Sequence, residues 1–195
     1  MIRLDITVAQ EALAEHVAVT EGLKRLKPAI AEAAAVVAEV VTGSGKILFC
    51  GNGGSAADAQ HIAGELVGRF LKERWPLPAL ALNGNTSVLT ALGNDYGFEE
   101  IFARQVAALG QPGDVLVAIS TSGNSPNVLR AAEVARAKGM KVIGLTGAVG
   151  GKLKPLCDLC LCVPSASTPR IQEMHILVGH IICQLVEEAL CSDRQ

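Results

Sequence analysis

The sequence predicts an α/β protein, a doubly wound five-stranded parallel sheet flanked by helices and preceded by an N-terminal helical arm. Three observations lead there. Short apolar runs bounded by glycine or proline alternate with alanine-rich stretches of helical spacing, the pattern of repeated strand–helix units. A glycine-rich turn joins the first apolar run directly to a helix. The composition is 50% hydrophobic with 20 Gly and only 3% aromatic residues, so the core volume is aliphatic, as in a valine- and alanine-rich sheet protein. At 195 residues the chain fits one domain spanning 1–195, with residues 1–42 as the arm.

Residues 5–41 read as helix, and Pro28 divides the run in two. Leu13, Val17, Val19, Leu23 and Leu26 form an apolar face whose destination is either another subunit or the chain's own core. Residues 46–50 form the first strand, 51–55 the glycine turn and 55–70 the next helix. The second strand is 78–82. A short helix over 86–92 leads to a loop over 93–97, in which Asn94 and Asp95 are free to meet a ligand. Residues 98–109 return to helix, and 114–119 make the third strand. In the polar loop 120–125, Ser125 is placed as an N-cap and Pro126 as the first helical residue. That helix stops at Gly139, the fourth strand covers 141–145 and the fifth 158–163. Thr168 and Pro169 open a last helix that runs to about residue 190.

A net charge of −2 and a pI near 6.1 argue against a dominant basic surface for nucleic acid. The N-terminus carries acids early and has no apolar signal region, and no uninterrupted apolar run is long enough to span a bilayer. The expected place is the cytoplasm, with no nucleic-acid or membrane partner. Cys157, Cys160 and Cys162 contain one CxxC, but no second pair completes a tetrahedral zinc site. All six cysteines, these and Cys50, Cys183 and Cys191, are read as buried free thiols.

Two loops follow predicted strands, where doubly wound sheets hold their ligands. The turn Gly51-Asn52-Gly53-Gly54-Ser55 presents free backbone N–H groups and the positive end of a helix dipole, which suits a phosphate or a sugar oxygen; glycine also relieves ordinary turns. The loop 120–125 supplies Ser120, Thr121, Ser122 and Ser125 ahead of a second helix. Capping explains Ser125 but not the crowding of the other three, so phosphate binding by neutral donors is the reading. His61 and Glu65, four residues apart, project from one helix face, about 40° apart at ~100° per residue. They could share a metal, divide acid and base roles, or form an exposed pair of no consequence. Gln172 and His180 are separated by about 80° on the last helix, near enough to converge on one site, although a histidine on so apolar a helix is usually a packed residue.

The segments GNGGSAADAQHIAGE at 51–65, ISTSGNSPNV at 119–128 and RIQEMHILVGH at 170–180 resemble the sugar isomerase (SIS) domain family, most closely its bacterial phosphoheptose isomerase branch. The resemblance covers nearly the whole chain, the helical arm included. It implies a SIS fold, an aldose–ketose isomerase converting sedoheptulose 7-phosphate into D-glycero-D-manno-heptose 7-phosphate, the first step toward the ADP-heptose of lipopolysaccharide core, and a homotetramer with sites between subunits. The family's phosphate motif falls on Ser120, Thr121, Ser122 and Ser125. Its other substrate contacts fall on Asn52, Gly53, Gly54, Ser55, Glu65, Asn94, Asp95 and Gln172. Its zinc ligands fall on His61, Glu65, Gln172 and His180, of which Glu65 and His180 also match its acid–base pair. A relative of the isomerases that binds the bacterial replication initiator is the rival reading. It lacks the residues matching Glu65 and His180, and this sequence has both.

Overall fold

The computed structural model describes residues 4–192. Strands β1 (Ile47–Gly51), β2 (Ala79–Ala81), β3 (Val115–Ile119), β4 (Lys141–Thr146) and β5 (Leu159–Cys162) form one sheet in the order β2-β1-β3-β4-β5. Every pair is parallel. The helices are α1 (Ile6–Leu23), α2 (Lys27–Thr42), α3 (Gly54–Val67), α4 (Thr86–Tyr96), α5 (Ala103–Leu109), α6 (Pro126–Ala137) and α7 (Thr168–Ser192). From β1 the chain crosses to β2 on one side and later to β3 on the other. The strand order therefore reverses between β1 and β3, the point where sheets of this kind open a ligand crevice. The two loops singled out from sequence leave the carboxyl ends of these two strands, with Gly51 paired to Ile119.

Strand alternation sorts the buried residues into two cores. Ile47, Phe49, Val115, Val117, Ile119, Ile143 and Leu145 face α2, α3 and α7. Leu48, Cys50, Leu116, Ala118 and Val142 pack with Ile101, Phe102, Val128 and Ala131 on the side of α5 and α6. α7 is long and apolar enough, by length and composition, to cross a membrane, yet it lies in the first core against α2 and α3. Close approach needs glycine: a Cβ on Gly179 of α7 would stand 2.4 Å from Ile62 of α3.

Several expectations shift. The N-terminal break falls at a 3-10 turn, Lys24–Leu26, and Pro28 sits in the first turn of α2, where a missing N–H costs nothing. α4 continues to Tyr96, so Asn94 and Asp95 are helical rather than on a loop; Asn85 caps the helix through a bond from the Val88 N–H, and only Gly97, with φ of 89°, ends it. Residues 98–109 split into a 3-10 turn and the shorter α5. All six cysteines are free, but only Cys50 and Cys183 are buried: the edge strand β5 leaves Cys160 and Cys162 partly exposed, as are Cys157 in the turn before it and Cys191 near the end of α7.

Candidate active site and metal centre

α3 begins where β1 ends. Gly53 holds φ of 56° and ψ of −121° at the N-cap, a conformation that admits glycine and strains other residues. The following Gly54 is needed for space, because a Cβ there would stand 2.6 Å from the Gln172 amide of α7. Gln172 is thus pressed against the glycine turn. Ser55 is buried beneath it.

Two turns further along α3, His61 and Glu65 face α7. His61 Nε2 lies 3.0 Å from His180 Nε2 and 3.1 Å from Glu65 Oε1. One ligand atom from each of the three residues falls within 4.8 Å of the others. Two imidazole nitrogens and a carboxylate oxygen at such separations are a donor set that suits zinc. The His180 ring stacks on Phe70, with centroids 5.3 Å apart and planes 21° from parallel. Phe70 is held in turn. Glu187 of α7 accepts hydrogen bonds from the backbone N–H groups of Phe70, Leu71 and Lys72 at 2.7–2.9 Å and pairs with Arg74 at 3.1 Å. Burial opposes the charge on Glu187, but these donors outweigh it and keep the carboxyl below its ordinary value. Arg74 also bonds the Glu65 and Leu66 carbonyls at the end of α3.

At the end of β3, Ser120 is buried, and its Oγ lies 2.9 Å from the Ser125 Oγ. Ser125 occupies the N-cap position of α6 but makes no capping bond, its hydroxyl being engaged with Ser120. The Asn124 N–H donates to Ser122 Oγ. Gly123, at φ of 66°, is packed so closely on the backbone of Gly150 that a Cβ would overlap it. Thr121 and Ser122 line a cleft of about 230 Å³ with Gly147, Ser165, Thr168 and Ile171. With no acid in the first turn of α6, the helix end is open to an anion.

The two loops are tied together. Asn52 and Asn127 exchange two amide hydrogen bonds of 2.8 and 2.9 Å across the β1/β3 crevice, and Asn127 is buried. Asp58 and His175 line a cavity of about 20 Å³ between α3, α7 and the sheet. Burial raises the Asp58 carboxyl to about 6, against the attraction of nearby His61. Burial lowers the His175 imidazole to about 4, although its bond to the Thr146 carbonyl opposes this.

His61, Glu65 and His180 therefore come together, while Gln172 is packed against Gly54 of the glycine turn, next to Ser55. The serine loop stands across the crevice. Asn94 and Asp95 do not join: they lie exposed on the last turn of α4, bonded to each other at 2.8 Å. Asn127, Phe70 and Glu187 were not singled out by sequence. Asn127 adjoins a recognised motif, and only the three-dimensional pairing reveals it; Phe70 ends a helix pattern and Glu187 lies on an apolar helix, with nothing in their spacing to mark them.

This geometry can be set beside known proteins. The SIS domain family pattern matches residues 13–147. A phosphoheptose isomerase of Rhodospirillum rubrum is 69% identical over 85% of this chain and 88% of its own. One of Nitratiruptor is 58% identical over 92% and 97%. Among solved structures, a phosphoheptose isomerase of Neisseria gonorrhoeae superposes with a TM-score of 0.89 at 45% identity, covering 93% of this chain and 98% of its own. One of Francisella tularensis gives 0.92 at 41%, covering 95% and 100%. With the SIS domain pattern matched over residues 13–147 and relatives this similar over nearly their full length, the chain belongs to the SIS domain family, in its phosphoheptose isomerase branch.

Proposed function

We propose that this chain is an aldose–ketose isomerase that converts sedoheptulose 7-phosphate into D-glycero-D-manno-heptose 7-phosphate, in the cytoplasm, at the head of the route to ADP-heptose for lipopolysaccharide core. The observation that carries the reading is the convergence of His61, Glu65 and His180 beside the crevice that holds both candidate ligand loops. The relatives' shared name supports the substrate, and the presence of Glu65 and His180 speaks against the replication-initiator role.

The substrate phosphate is assigned to Ser120, Thr121, Ser122 and Ser125, whose hydroxyls and backbone N–H groups sit at the positive end of α6. Asn52, Gly53, Gly54, Ser55 and Gln172 contact the sugar. Moving the carbonyl from C2 to C1 requires a base to take a proton from C1 and return one to C2, with the oxygens of the intermediate enediol stabilised. Glu65 and His180 divide these proton transfers. The position of the His180 ring is fixed by Phe70 and, through Phe70, by Glu187. A zinc ion held by His61, Glu65, Gln172 and His180 would polarise the substrate carbonyl as a Lewis acid.

The working form is a homotetramer. His61 is half exposed, and Asn94 and Asp95 are exposed on the last turn of α4, which leaves both open to a neighbouring subunit that would complete the site. Leu13 and Val17 on α1 are more than 60% exposed and supply an apolar face for such a contact. Turnover of sedoheptulose 7-phosphate by the purified chain tests the reading, with other ketose phosphates as comparison.

A further inference from the structure

Two partly exposed thiols stand side by side on the edge strand β5, and the proposed isomerisation uses neither. Leu161 is buried in the core shared with α2 and α7, so Cys160 and Cys162, on either side of it, share the opposite face of the strand. Their Sγ atoms are 3.7 Å apart. Pairing with β4 fixes the strand in register, with Gly144 beside Cys160 and Thr146 beside Cys162. Thr146 Oγ1 lies 3.6 Å from Cys160 Sγ and 3.4 Å from Cys162 Sγ. Gly144 keeps space open next to them, since a Cβ there would stand 3.2 Å from Cys160 Sγ. Cys157, in the preceding turn, gives its thiol proton to the Leu153 carbonyl at 3.2 Å.

Strand geometry decides what the pair can do. A rise of ~3.3 Å per residue keeps the roots of side chains two residues apart ~6.6 Å from each other. A disulfide needs Cβ atoms about 3.5–4.5 Å apart, so these cysteines do not close on one another while the strand is paired. A metal ion between the sulfurs adds two bonds of ~2.3 Å and so spans a gap of up to ~4.6 Å. The 3.7 Å separation lies inside that bite, and the side chains can widen it by rotation without moving the backbone.

We propose that Cys160 and Cys162 chelate a soft monovalent cation, copper(I), between their sulfur atoms. Ligand type and number select the ion. Thiolates favour copper(I) and zinc over hard cations, but zinc takes four ligands. Among the described residues the one cluster of three or more histidine, cysteine or carboxylate ligands is His61, Glu65 and His180, so nothing of that kind completes a zinc shell here. Copper(I), with a filled d shell, is satisfied by two sulfurs. Binding releases both thiol protons to solvent and leaves two thiolates on one monovalent ion, with a net charge of −1. The positive charge of Lys154 acts on both sulfurs and favours that charge. The Thr146 hydroxyl, within reach of both, donates to a bound thiolate from the second shell.

The test titrates the full-length, zinc-loaded protein with copper(I) under anaerobic conditions, in competition with the copper(I) chelator bathocuproine disulfonate. The parent should withdraw one copper(I) per protomer from the chelator. Cys160→Ser and Cys162→Ser should each lose that equivalent, and Cys157→Ser and Cys191→Ser should keep it. The zinc content should be the same in all five proteins. A parent that withdraws no copper, or retention of the equivalent by Cys160→Ser or Cys162→Ser, overturns the proposal; its loss in Cys157→Ser or Cys191→Ser overturns the assignment to this pair alone. X-ray absorption at the copper edge of the unmutated, copper-loaded protein adds a readout free of folding effects. It should show two sulfur neighbours and no nitrogen, and imidazole nitrogen around the copper would move the ion to the histidines and contradict the site.

Discussion

The Nε2 atoms of His61 and His180 stand 3.0 Å apart although 119 residues separate them in sequence. Two neutral imidazoles at that distance can share only one proton between those nitrogens, and Glu65 Oε1 adds a carboxylate 3.1 Å from the first. A cation held among them engages both lone pairs at once. Elemental analysis of the purified chain should find zinc near one atom per protomer, and His61→Ala should reduce it severalfold. A fully active preparation with negligible zinc after chelation would contradict the metal assignment.

The serine loop predicts a binding effect separate from the chemistry. Ser122→Ala with Ser125→Ala removes two neutral hydrogen-bonding hydroxyls, each worth ~0.5–1.5 kcal/mol, so the Michaelis constant should rise roughly 5- to 150-fold. The metal content should stay unchanged, because neither serine belongs to the triad. Steady-state kinetics on the phosphorylated sugar check this, and an unchanged Michaelis constant would remove the phosphate assignment.

Much of this arrangement was legible in the chain because it depends on local rules. Short apolar runs ending in Gly51 and Ser120 identified β1 and β3, and doubly wound topology placed both loops at strand ends. The helical spacing of His61 and Glu65 put them on one face, but on spacing alone an exposed pair of no consequence was the better reading. Only the packing of α3 on α7, permitted by Gly179, brings His180 to them. Asn94 and Asp95 were misplaced because Gly93 was taken as a helix end, whereas the favourable cap at Asn85 and continued packing carry α4 through it. The Asn52–Asn127 exchange and the hold of Glu187 on the backbone of residues 70–72 join segments 75 and 115–117 residues apart, contacts that no local pattern encodes.

His175 should remain neutral well into the acid range. Burial depresses its folded pKa to about 4, while the unfolded chain binds the proton near 6.5. Between these values the unfolded state holds more protons, so this residue's contribution to stability is full above about pH 6.5 and is lost as pH falls toward 4, on the order of 3 kcal/mol in all. Asp58 acts in the opposite sense, because its raised carboxyl takes up a proton in the folded state first. A ring-resolved NMR titration separates the two; a His175 midpoint near 6.5 would contradict its burial as described.

The N-terminal helices should govern assembly. Light scattering at micromolar concentration should give a mass near four times 20.2 kDa, and Leu13→Glu with Val17→Glu should lower it while the far-ultraviolet circular dichroism of the sheet and helices persists. A stable oligomer contact needs at least ~1,000 Å², which two charges within an apolar face disrupt. A monomeric parent protein would overturn the tetramer.

The most direct measurement is turnover of sedoheptulose 7-phosphate by the parent protein beside His180→Ala, with the oligomeric mass of both recorded. The parent should produce the aldose, and the variant should show no measurable turnover at unchanged assembly, since the residue proposed to carry a proton and hold the metal is gone. Full turnover by a correctly assembled His180→Ala protein, or none by the zinc-loaded parent, would contradict the proposed isomerase site.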